Sequence, residues 1–97
     1  MIYELQFDER ALKEFKKLDK PIRDQFKKKL KEIQINPHIE TARLKGDLKE
    51  CYKIKLRSSG FRLVYQVIEK EIIIVVIAVG KREHEITYKT AYSRKKH

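Results

Sequence analysis

The chain is 97 residues long, enough for one domain around a modest core, and its 24 lysines and arginines against 14 acidic residues leave a net charge of +10. Such an excess points to phosphate or to an acidic protein partner. The longest apolar run, Ile72 to Val79, is too short to span a bilayer, and the N-terminus lacks a basic stretch followed by an apolar one, so a cytoplasmic protein is expected. Cys51 is the single cysteine, which excludes an internal disulfide, and His38, His84 and His97 are too scattered for a zinc site. Tyr3, Leu5 and Phe7 alternate with polar residues and predict a first strand. Asp8 suits a helix N-cap, with Glu9 in the first turn. Ala11, Leu12, Phe15 and Leu18 then recur at helical spacing, and Asp19-Lys20-Pro21 breaks and restarts the pattern. Ile22, Phe26, Leu30 and Ile33 form the stripe of a second helix, which Asn36-Pro37 ends.

From His38 to Glu50 no periodicity is sustained, and Arg43 to Asp47 reads as a returning loop. Cys51 to Val67 is the most informative segment. Tyr52, Ile54 and Leu56 alternate with Lys53, Lys55 and Arg57, and Phe61, Leu63, Tyr65 and Val67 alternate with Arg62, Val64 and Gln66. With Ser59-Gly60 as a two-residue turn, Leu56 pairs with Leu63, Ile54 with Tyr65 and Tyr52 with Val67. The apolar sets then share one side of the sheet, and Lys53, Lys55, Arg57 and Arg62 are stacked on the other. Ile72 to Val79, apolar on both sides, predicts a central strand reached through Glu69-Lys70-Glu71. The expectation is one α+β domain over residues 1–97, a compact antiparallel sheet packed against an N-terminal helical hairpin. Its order is strand, helix, helix and three strands, with a short C-terminal helix or tail.

Lysines and arginines on a strand are often only a solvated face. Here four cations gather with no carboxylate among them, and Arg82 follows the buried central strand closely enough to join them, an arrangement suited to a phosphate clamp. Tyr88 is either an ordinary amphipathic contact or a ring that stacks on a base or orients a ribose hydroxyl. His84, flanked by Glu83 and Glu85, reads first as a surface residue, with acid–base work as the second option. Lys13, Lys17, Lys27, Lys28 and Lys31 lie on outer helix faces and read as solubilising, and Cys51 as a small core or edge side chain.

Three stretches then make the chain resemble the RelE toxins of bacterial toxin–antitoxin systems: Phe7-Asp8-Glu9-Arg10-Ala11-Leu12-Lys13-Glu14, Cys51 through Gly60, and Val79-Gly80-Lys81-Arg82-Glu83. Together they span nearly the whole chain. The sequence departs from the family pattern in the loop Asp47 to Glu50, one residue longer, and at His84, where a basic residue is common. The resemblance implies a compact sheet flanked by helices and a metal-independent endoribonuclease, without cofactor, that cuts messenger RNA in the ribosomal A site. It implies Lys53, Lys55, Arg62, Arg82 and Tyr88 as catalytic positions, with Lys45, Arg57 and Lys81 contacting RNA.

The chemistry expected is attack of the substrate's own 2′-hydroxyl on the adjacent phosphate. Arg62 would stabilise the phosphate, Lys53 or Lys55 with Tyr88 would handle the hydroxyl, and Arg82 or a lysine would assist the leaving oxygen. Neighbouring positive charge disfavours a lysine's protonated form, the physical route by which one could serve as base. Implied partners are an acidic RelB-like antitoxin, ribosomal RNA and A-site message, with operator DNA reached only through the antitoxin complex and no membrane. The alternatives are a ParE-like toxin, which shares the fold, binds gyrase and lacks the cationic set, and a non-catalytic RNA-binding module.

Overall fold

The computed structural model describes residues 2–48, 50–81 and 86–95. Its elements are β1 (Glu4–Phe7), α1 (Glu9–Lys16), α2 (Lys20–Ile35), β2 (Cys51–Leu56), β3 (Phe61–Ile68), β4 (Ile73–Lys81) and α3 (Ile86–Arg94), with short 3-10 turns between α2 and β2 and before β4. Among the described residues, no helix is long and apolar enough to cross a membrane.

Local chemistry accounts for the helical hairpin. Asp8 caps α1 by accepting from the Arg10 backbone N–H at 2.9 Å, and its carboxylate also takes the Arg10 guanidinium. Pro21 sits in the first turn of α2, where a missing N–H costs nothing, and Asn36 ends that helix one residue before Pro37. Both helices bury their stripes on one face of the sheet. Ala11, Phe15, Phe26, Leu30 and Ile33 meet Tyr52, Ile54, Leu56, Leu63, Tyr65, Val67, Ile74, Val76 and Val79.

The sheet order is β1-β4-β3-β2. β2, β3 and β4 are antiparallel, and β1 joins parallel to β4, with Glu4 beside Ile73 and Phe7 beside Val76. The hairpin register differs from expectation by two residues: Leu56 pairs with Phe61, Ile54 with Leu63 and Tyr52 with Tyr65. The turn is four residues long, 57–60, closed by a bond from Gly60 N–H to the Leu56 carbonyl at 2.9 Å, with Gly60 at φ 76, a conformation that glycine adopts without strain. A two-residue shift preserves strand parity, so every side chain keeps its expected face.

β4 carries a second irregularity. Val64 pairs with Ala78 and Tyr65 with Val76, leaving Ile77 as the extra residue of a bulge. The bulge turns both Ile77 and Ala78 to the face away from the helical hairpin. There they form a smaller cluster with Cys51, Val64, Ile73, Val75 and Ala91, under α3. The sheet is thus apolar on both sides, over its full length on one and over part of it on the other.

Candidate active site

Strand alternation places Lys53, Lys55 and Arg62 on the α3 side. Lys55 is the direct cross-strand partner of Arg62, and Lys53 lies two residues further along β2, opposite Val64. Directly opposed like charges repel, so the pair carries an electrostatic cost that an anion placed between them would relieve. Arg62 also neighbours Gly80 on β4, where a side chain would obstruct α3: a Cβ on Gly80 would fall 2.6 Å from Thr87 Oγ1. Glycine therefore lets α3 settle on the strand.

That close approach sets Tyr88. Arg62 Nη1 donates to the Tyr88 hydroxyl at 3.0 Å, and the guanidinium carbon lies 5.2 Å from the ring centroid. Arg62 Nε is buried without a hydrogen-bond partner. The arginine is half-buried and held from one side by the tyrosine, which restricts its geometry before any substrate arrives.

Two openings flank this contact. A cleft of about 310 Å³ is lined by Lys55, Leu56, Arg57, Gly60, Phe61 and Arg62. A shallower groove of about 330 Å³ runs between the loop before β2 and α3, lined by Lys45, Asp47, Leu48, Tyr88, Lys89 and Tyr92. The Arg62–Tyr88 contact joins them into one basic track with aromatic rings along it, the composition that suits single-stranded RNA. Lys95 closes the far end, donating to the Asp47 carbonyl and lying 5.4 Å from the Tyr92 ring centroid.

The structure brings Lys55, Arg57, Arg62, Tyr88 and Lys45 onto this track and leaves Lys53 beside it. Lys81 does not line the track itself: it pairs with Phe61, one wall of the cleft, and sits 5.5 Å from that ring, on the face of the helical hairpin. Arg82 and His84 fall outside the described residues. Lys89 and Tyr92 were not singled out as site residues from the sequence; the signal was the four-residue spacing of Tyr88 and Tyr92, one helical turn. Cys51 is fully buried, and burial pushes its thiol up to about 11 against the opposing pull of Lys95, so it is inert at neutral pH.

A small mixed sheet with a helical hairpin on one face and a cationic, tyrosine-backed track on the other defines a class. The family model described as the ParE toxin of type II toxin-antitoxin system, parDE, matches residues 5–86, and the chain belongs to this family of toxins. Within it the similarity is to RelE. A RelE-like toxin protein of Escherichia coli is 60% identical over 94 residues, 97% of this chain and 98% of the relative. The mRNA interferase toxin RelE of Escherichia coli is 55% identical over 94 residues, again 97% and 98% of the two chains. The toxin chain in the crystal structure of the intact Escherichia coli RelBE toxin-antitoxin complex superposes with a TM-score of 0.80 at 57% identity, covering 84% of this chain and 99% of that one.

Proposed function

We propose that this chain is the toxin of a toxin–antitoxin pair and an endoribonuclease that cuts messenger RNA in the ribosomal A site. The observation that carries the reading is the Arg62 guanidinium fixed on the Tyr88 hydroxyl, with Lys55 directly across the strand. Relatives named as mRNA interferases, more than half identical over nearly the full chain, support it.

In the reaction the 2′-oxygen forms a bond to the adjacent phosphorus as the bond from phosphorus to the 5′-oxygen breaks. The 2′-hydroxyl proton passes to a base and the leaving oxygen gains a proton. The products are a 2′,3′-cyclic phosphate and a 5′-hydroxyl. Arg62 faces the phosphate, where its fork meets charge developing on the non-bridging oxygens. Lys53 or Lys55, with Tyr88, handles the hydroxyl, and Arg82 or a lysine serves the leaving oxygen. The track offers no adjacent pair of histidines, or of histidine and carboxylate, among the described residues. Catalysis then leans on alignment of the 2′-oxygen with the leaving oxygen, which a ribosome holding the message supplies and free RNA rarely adopts; positioning of this kind is worth up to about 7–11 kcal/mol.

The partners follow from the charge. An acidic antitoxin of the RelB kind would cover the cationic track in the cytoplasm, and its association should slow as salt rises. Equal association rates at low and high salt would remove that electrostatic contribution.

The test is single-turnover cleavage on programmed ribosomes in EDTA, beside the same RNA free in solution at matched salt. Rapid cutting of A-site message and little or none of free RNA is expected. Comparable rates on both substrates would mark an ordinary free-standing ribonuclease. The family description also names ParE toxins. Inhibition of gyrase supercoiling without message cleavage would move the chain to the gyrase-binding class.

A further inference from the structure

The parallel ladder covers only half of β4. β1 ends at Phe7 opposite Val76, and the Asp8 N–H closes the ladder by donating to the Val76 carbonyl at 2.9 Å. Beyond that point no strand among the described residues lies beside this edge of β4, and unpaired edge groups demand partners. Two side chains arriving from opposite faces of the sheet supply them. Arg94 Nη1, from the last turn of α3, donates to the Ile77 carbonyl at 3.0 Å, and Glu14 Oε1, from α1, accepts from the Val79 N–H at 3.3 Å. The two also bind each other in fork geometry, Nη1 to Oε1 at 2.9 Å and Nη2 to Oε2 at 3.2 Å. The Arg94 side chain is 12% exposed and that of Glu14 35%. This ion pair wraps the sheet edge and joins its two helical layers.

The helix it holds is otherwise attached by Ala91 and Tyr88 in the smaller cluster and by Lys95 on the Asp47 carbonyl. α3 has no continuous apolar stripe, and among its described side chains the buried ones are Thr87, seated on Gly80, and Ala91. Its position on the sheet is therefore set near its start by Thr87 on the Gly80 backbone and at its end by Arg94, while Lys95 ties the same end to the loop before β2. Tyr88 lies between these two fixed points, and its hydroxyl meets Arg62 only if both hold.

We propose that Glu14 and Arg94 are positioning residues for RNA cleavage: clasped across the open half of the β4 edge, they hold α3 where its Tyr88 hydroxyl rests on Arg62. The inference rests on the reading of Arg62 and Tyr88 as catalytic groups. It makes the chemistry on one face depend on α1, a helix on the other face that lends no group to the site. A bidentate arginine–carboxylate pair is among the stronger surface attachments, and removing either partner leaves the other charge half-covered beside unpaired backbone groups.

The experiment uses the full chain and two readouts. In isotope-labelled protein the Arg62 side-chain resonances carry the ring-current shift of Tyr88, with Tyr88→Leu marking the shift-free position. Glu14→Ala and Arg94→Ala should both move Arg62 to that position while the Ile74 and Val76 methyls keep their parental shifts. On programmed ribosomes both should lower the saturating single-turnover rate roughly 10- to 100-fold, with the half-saturating concentration nearly unchanged. Parental Arg62 shifts or a parental saturating rate in either variant would overturn the proposal. Should an alanine variant lose the Ile74 and Val76 shifts, Arg94→Lys carries the test. Keeping the charge without the fork, it should give intermediate Arg62 shifts and rates, and parental values would overturn the proposal. A parent protein that cut no message would sink the reaction assigned above, and the clasp would then stand or fall on the Arg62 shift alone.

Discussion

The two faces of the sheet share the same strands and follow different rules. Toward the helical hairpin, β2 and β3 present Tyr52, Ile54, Leu56, Leu63, Tyr65 and Val67, all buried and packed on Phe15, Phe26, Leu30 and Ile33. Toward α3 they present Cys51 beside Gln66 at one end, Lys53 beside Val64 in the middle, and Lys55 beside Arg62 at the other end. Burial on the first face supplies stability, and charge kept near solvent on the second is what the proposed chemistry would use. Because successive residues alternate, the two properties are separated by one step along the chain.

Neighbouring substitutions should therefore fail in different ways, and Leu63 and Arg62 form the sharpest pair. Leu63 is fully buried, so Leu63→Ala should destabilise by roughly 2–5 kcal/mol through lost transfer energy and the cavity left behind. Chemical denaturation measures it, and a parental midpoint would refute the observed packing. Arg62→Ala should slow single-turnover cleavage by about 100-fold or more, near 2.7 kcal/mol, the scale for removing one donor that stabilises developing charge. Its circular dichroism should match that of the parent, as should the cleavage rate of Lys27→Ala on the exposed side of α2. An unfolded Arg62 variant, or an inactive Lys27 variant, would erase the distinction between the faces.

The distinction was legible in the sequence because it depends only on parity. Alternating Tyr52-Lys53-Ile54-Lys55-Leu56 assigns the faces whatever the partner strand, and the same segment is one of the three on which the resemblance to RelE toxins rested. Register was not legible in that way. The choice between a two-residue turn at Ser59-Gly60 and the observed four-residue turn lies in the conformation of Gly60, and both choices satisfy the hydrophobic pattern. The bulge at Ile77 was hidden for a related reason: in a run apolar on both sides, an extra residue disturbs no alternation. The expected sheet was antiparallel and the observed one is mixed, since Tyr3, Leu5 and Phe7 reveal a buried side of β1 and nothing about its neighbouring strand or direction. α3 was read as helix or tail because its attachment depends on Thr87, Ala91 and Arg94, which share one face but make no apolar stripe. In the site, the meeting of Arg62 with Tyr88 needed the position of α3, and the placing of Lys81 on the Phe61 ring needed the bulge at Ile77, which sets the faces of β4 beyond it.

The apolar face has one polar tip, which offers a finer test. Tyr65 is fully buried and stacks on Tyr52 at 5.4 Å, and its hydroxyl donates to the Pro37 carbonyl at 2.9 Å, tying the end of α2 to the sheet. Desolvation raises the Tyr65 phenol well above its ordinary value, so it stays protonated and donating. Tyr65→Phe keeps the ring and leaves a carbonyl without its donor, at a cost of about 1–3 kcal/mol. Cleavage should be unchanged at temperatures where the variant is folded. A rate loss without a stability loss would mean that the two faces are coupled through β3.

The smallest effect expected lies at the corner between β1 and α1, where stability depends on charge even on the hairpin side. The hydrogen bond from the Arg10 side chain, opposed by burial and reinforced by the backbone N–H bond, lowers the Asp8 carboxyl to about 2 from its ordinary 3.8. A carboxyl lowered in the fold stabilises the native state where it is ionised. Its contribution is complete above about pH 4 and disappears as the pH falls through about 2. Asp8→Ala should cost about 1 kcal/mol at neutral pH through loss of the cap. Asp8→Asn keeps an acceptor for the Arg10 N–H and gives up the charge. Since the Arg10 side chain is 61% exposed, solvent screens the ion pair, and the asparagine variant should lose less than the alanine one. Melting curves of the parent and Asp8→Asn should converge near pH 2 and separate by pH 5. A gap independent of pH would place the contribution of Asp8 in the cap bond alone, and cleavage should be the same in all three proteins because this corner is remote from the cationic track.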